Sequence, residues 1–67
     1  MQVNVMKIKG LMAENGDTQE DLAKKLGCSV ATVGNYLTGK SEMRIATLNL
    51  IAQIYNTAPL DLLLVNG

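Results

Sequence analysis

Apolar side chains recur along this chain at intervals of three and four residues, in short runs separated by glycine, asparagine or a hydroxyl residue. Val5, Ile8, Leu11 and Met12 form the first run. Asn4 stands where a helix needs an N-cap, and Val3 and Ile8 then take the two positions of a hydrophobic staple. With Gly16 as a left-handed stop, the spacing predicts a first helix over roughly residues 5–15. Thr18 caps the next helix by accepting the Asp21 amide, and Glu20 and Asp21 suit the positive end of its dipole. Its buried face is Leu22, Ala23 and Leu26, and it ends before Gly27. Ser29 caps a third helix over roughly residues 30–37, with Cys28 and Val33 as a second staple and Thr38-Gly39 as the break.

A strong amphipathic run is Ile45, Leu48, Ile51, Ala52 and Tyr55, a fourth helix with Asn56 as its stop. Pro59 fits the first position of a last short helix over roughly residues 59–65, with Ala58 or Thr57 as cap. Strand-like alternation is confined to the first few residues. The expected architecture is therefore one compact all-α domain of five helices spanning residues 1–67.

Composition narrows the chemistry. A chain of 67 residues without Trp or Phe must build its core from Leu, Ile, Val, Ala and Met. The four Met are expected as core filler or terminus. No run reaches the length of a membrane span and no leader pattern appears, so a soluble, cytoplasmic protein is expected. Cys28 has neither a disulfide partner nor a His to activate it or share a metal, so no metal, cofactor or Cys–His catalysis is expected. Paired carboxylates in a plausible pocket are also lacking, which argues against an enzyme. Six Lys/Arg against six Asp/Glu give zero net charge, where nucleic-acid binders usually carry a basic excess.

The segment QEDLAKKLGCSVATVGNY adds a motif, a helix-turn-helix over about residues 19–36. Ala23 falls where two helices cross closely and a larger side chain would separate them. Gly27 falls in the turn, where a positive φ is cheap only for glycine. Val33 points inward from the second helix, and Leu22, Leu26, Cys28 and Tyr36 close a small core around the turn.

In the stretches TQEDLAKKLGCSVATVGNYLTGK and TLNLIAQIYNTAPLDLLL the chain resembles the Cro/phage-repressor (XRE-type) helix-turn-helix family. The resemblance implies a five-helix, lambda-repressor-like fold with a DNA-facing recognition helix. It also implies a homodimer on a palindromic operator, in a bacterial or phage-infected cell. Gln19 then matches a residue that bonds a backbone phosphate, where free helix amides already favour an anion. Ser29, Val30, Ala31 and Thr32 match the first turn of the recognition helix, with Ser29 on the phosphate side and Val30, Ala31 and Thr32 toward bases. Asn35 faces bases one turn on. Lys40 and Arg44 match phosphate contacts, and Lys7 and Lys9 on the first helix are within reach of flanking phosphates. Lys24 and Lys25 read as solvated residues that suit the helix dipole.

Several positions depart from the family pattern. Val30 and Ala31 stand where relatives often place Gln, Arg or Lys, and they can touch a thymine methyl but form no bidentate hydrogen bond. Gly34 lies in mid-helix, at a cost of about 1 kcal/mol relative to Ala, which suggests close approach to a backbone. Leu37 replaces a position that is often acidic and is read as exposed, and Ala58 replaces a usual hydroxyl cap. These features support a rival expectation, that the fold serves protein–protein interaction with DNA contact weak or lost. In the tail LDLLLV, Leu60, Leu63 and Leu64 are expected inward. Leu62 and Val65 are then left either for a dimer patch or for packing against Val3 and Val5.

Overall fold

The computed structural model describes residues 2–64. Among them are a strand β1 (Gln2–Val3), helices α1 (Val5–Glu14), α2 (Gln19–Leu26), α3 (Val30–Thr38) and α4 (Ile45–Ile54), a 3₁₀ turn (Pro59–Leu62) and a strand β2 (Leu63–Leu64). Helices α1, α2 and α3 each start at a side-chain cap. The Asn4 side chain accepts the Lys7 amide at 3.1 Å. Thr18 and Asp21 form a full capping box, with the Asp21 amide donating to Thr18 Oγ1 and the Thr18 amide donating to Asp21 Oδ2. Ser29 Oγ accepts the Thr32 amide at 3.2 Å. The stops hold as well: Gly16, Gly27 and Gly39 take φ of 66°, 72° and 79°, and Asn56 reaches the same region at 51°.

One core gathers all the helices. Ile8, Leu11 and Met12 of α1, Leu22 and Ala23 of α2, Val33 and Leu37 of α3, and Leu48, Ile51 and Ala52 of α4 are buried together with Tyr55 and Leu62. Val3, Val5, Leu26, Cys28, Met43, Ile54 and Leu63 pack against its margin. The first staple is thus realised, with Val3 at the margin and Ile8 fully buried.

The C-terminal segment departs from expectation. Four α-helices are present among the described residues rather than five, because the segment after Pro59 makes a single 3₁₀ turn and then extends. Neither Ala58 nor another described side chain caps that turn. Extension is favoured instead because Leu63 and Leu64 pair antiparallel with Val3 and Gln2, and the Asn4 amide donates to the Leu62 carbonyl at 2.7 Å. The brief alternation at the N-terminus is therefore a strand.

This pairing sets which leucines are buried. Leu62, one of the two dimer candidates, is fully buried and unavailable to a partner, whereas Leu60, expected inward, is 75% exposed. Leu63 is half-buried and Leu64 is exposed. Val65 lies outside the described residues. Leu37, read as exposed, is buried, since four residues after Val33 it returns to the same helical stripe.

Candidate nucleic-acid interface

Helices α2 and α3 pack directly on each other through the turn at Gly27. Ala23 is buried at their crossing, so the backbones approach without an intervening side chain. The Cys28 amide donates to the Ala23 carbonyl at 3.0 Å, closing the turn over the end of α2. A short α3 is thereby fixed against α2 by Val33 and Leu37, leaving its opposite side to solvent.

That outer side carries the residues expected to face bases. Val30 and Ala31 are exposed, and Thr32 and Asn35 are half-buried. The hydroxyls of Ser29 and Thr32 lie 2.9 Å apart and bond each other, so part of their capacity is already used within the cap. Thr38 turns its hydroxyl back to the Gly34 carbonyl at 2.8 Å. The Asn35 carboxamide and the Tyr36 hydroxyl are the polar side-chain groups of α3 that make no hydrogen bond to another described residue.

The charged and polar rim is distributed around this helix. Gln19 is exposed at the first position of α2. Lys40 is exposed just beyond the left-handed Gly39, in a loop held by the Ser41 amide donating to the Asn35 carbonyl. Arg44 occupies the N-cap of α4, exposed and with no capping bond from its side chain. Lys7 and Lys9 are exposed on α1, which borders α3. They leave that helix about 200° apart, on either side of Ile8, so at most one of them shares the α3 side.

A second cluster fixes the motif to its scaffold and was missed by local sequence reading. Asp17 Oδ2 accepts from Lys25 Nζ at 2.7 Å and from the Tyr55 hydroxyl at 2.8 Å, and its side chain is only 8% exposed. Lys25 Nζ also lies 5.8 Å from the centre of the Tyr55 ring. The loop entering α2, the last turn of α2 and the end of α4 therefore meet at one carboxylate. Lys25 is exposed in the last turn of α2, as expected of a dipole partner, and is also part of this tie.

These bonds give the cluster a pH signature. The Lys25 ammonium first, and the Tyr55 hydroxyl second, hold the Asp17 carboxyl below its ordinary value of 3.8. The backbone amide of Thr18 does the same for Asp21. Burial, and then the hydrogen bond to Asp17, push the Tyr55 phenol well above its ordinary value of 10.0. A depressed carboxyl contributes stability that is complete above its unfolded value and fades as pH falls through the folded one. The protein is therefore expected to lose stability as pH drops below 3.8, with a shallower acid decline in Asp17→Asn and a lower stability of that variant near neutrality. Urea midpoints at about pH 7 and about pH 3 measure this, and equal acid declines in the two proteins would contradict it.

No helix among the described residues is long and apolar enough to cross a membrane. The profile of the family described as helix-turn-helix matches residues 8–63, from the first core residue of α1 to the strand β2. No curated protein and no solved structure matches the chain. The matched span holds the whole α2–α3 pair and the helices that support it, so the fold and the family agree. The chain belongs to the helix-turn-helix family of Cro/XRE type, a family of non-catalytic DNA-binding domains with regulatory roles.

Proposed function

We propose that this protein is a sequence-specific duplex-DNA-binding transcriptional regulator of the phage or prophage Cro/repressor kind, occupying an operator as a homodimer and excluding polymerase. The observation that carries the reading is the rigid α2–α3 pair, which presents Val30, Ala31 and Asn35 outward with Gln19 and Lys40 beside them. In this reading α3 enters the major groove, Val30 and Ala31 meet thymine methyls, and Asn35 hydrogen-bonds a base edge. Lys40, Arg44 and one of the α1 lysines meet phosphates, and the Ser29–Thr32 cap lies close to the backbone. Zero net charge is compatible with this, because Asp17 is paired with Lys25 and Asp21 is held in the Thr18 cap, while Lys40 and Arg44 stand exposed after α3. The rival reading, a fold kept for protein–protein contact, loses Leu37, which is buried.

With so few cations on each chain, two copies are needed for firm binding. Leu60 and Leu64 are the apolar side chains exposed at the C-terminal turn, and they take the dimer role that buried Leu62 cannot. Selection from a pool of random duplexes tests the function. The expected product is an inverted repeat with half-sites about one helical turn apart, bound less tightly after Lys40→Ala. Enrichment of no sequence, with mobility shifts of the variant equal to those of the wild type, would reject the proposal.

A further inference from the structure

Glycine is a poor helix former, yet Gly34 sits in the middle of α3. Its backbone does not require it, since the positive φ values belong to Gly16, Gly27, Gly39 and Asn56. What occupies the space of the missing side chain is specific. A methyl group placed on Gly34 would meet one atom within 4 Å beyond the helix's own backbone, Oε1 of Gln19 at 3.6 Å. The carboxamide of Gln19 therefore lies across the face of α3. Helical spacing puts Val30, Ala31, Leu37 and Thr38 around that same spot, at three and four residues from Gly34, and all but the buried Leu37 are exposed. The side chain of Gln19 makes no hydrogen bond to another described residue.

A carboxamide offers a donor and an acceptor side by side, which matches the N6 and N7 edge of adenine in the major groove. Val30 and Ala31 offer neither. We infer that Gln19 is a base-reading residue: carried onto the face of α3 by the absent side chain of Gly34, its carboxamide reads an adenine and supplies the hydrogen bonding that Val30 and Ala31 lack. The role goes beyond a phosphate contact at the start of α2, and it rests on the proposal that α3 enters duplex DNA. Gly34 is then a positioning residue. A methyl at 3.6 Å is an ordinary contact, so Gly34→Ala leaves the reader in place, whereas a long side chain displaces it.

The test is a duplex selection run in parallel on wild type, Gln19→Ala, Gly34→Ala, Gly34→Met and the double variant Gln19→Ala/Gly34→Met, each first shown to be folded by circular dichroism. Wild type and Gly34→Ala are expected to prefer adenine at one position of each half-site by about tenfold or more. Gln19→Ala is expected to lose that preference while keeping the rest of the motif. Gly34→Met is expected to lose it too, and to add nothing once Gln19 is gone. Should Gly34→Met fail to fold, Gln19→Ala decides alone. An unchanged motif bound uniformly more weakly by Gln19→Ala would mean a phosphate contact only, and would overturn the inference while leaving the DNA-binding proposal intact. Enrichment of no sequence by the wild type would remove both.

Discussion

Replacing Leu62 by alanine is expected to cost about 3 kcal/mol, within the roughly 2–5 kcal/mol typical of buried Leu→Ala changes, whereas Leu60→Ala stays within about 0.5 kcal/mol. The two residues are neighbours in one leucine-rich turn, and the contrast follows from burial alone. Leu62 is fully buried where α1 and α4 both meet the 3₁₀ turn, and its carbonyl accepts the Asn4 amide at 2.7 Å. Truncation leaves a cavity that neither helix can close without moving the other. Leu60 is 75% exposed and loses little. Small domains hold only a few kcal/mol in reserve, so the first change lowers the unfolding temperature by roughly 12–24 °C. Thermal denaturation of both variants, at a concentration where the wild type is monomeric, reads the difference. Equal melting temperatures would mean that the register of the C-terminal segment is not the one described.

That register is the part of the fold least legible in the sequence. Caps and stops are written locally: Asn4, Thr18, Ser29, Gly27 and Asn56 act through partners within four residues, and each acts where its chemistry predicts. The run LDLLLV has no such punctuation. With leucine at four of six positions, helical, 3₁₀ and extended readings each offer an apolar face, and the choice falls to a strand at the other end of the chain. The burial of Leu37 is legible in its spacing to Val33, which puts both on one helical stripe. The Asp17–Tyr55 bond spans 38 residues, and no pattern within a helix points to it.

The site divides in the same way. The motif from Gln19 to Tyr36 followed from Ala23, Gly27 and Val33, whose roles depend on close packing at fixed offsets. Gly34 suggests close approach to a backbone, whereas the group beside it is the side chain of Gln19, which only the packing of α2 on α3 places there. Lys7 and Lys9 look equivalent in sequence and separate on the helix.

The central claim is that the α3 face meets duplex DNA through phosphate contacts flanking a few base contacts. Three cations per chain, Lys40, Arg44 and one of Lys7 and Lys9, give about six phosphate contacts in a dimer. Log affinity for a selected duplex is then expected to fall against log salt with a slope near −5, about a thousandfold between roughly 50 and 200 mM. This is the largest change predicted for binding, and it has an internal control. Lys40→Ala removes one contact per chain, so its slope is expected to be shallower by about 2 in the dimer, with the same sequence preference.

The most direct measurement is therefore a salt titration of duplex binding by fluorescence anisotropy, for wild type and Lys40→Ala side by side. The account predicts a steep wild-type slope and a shallower one for the variant. A flat wild-type slope, or identical slopes for the two proteins, would contradict it.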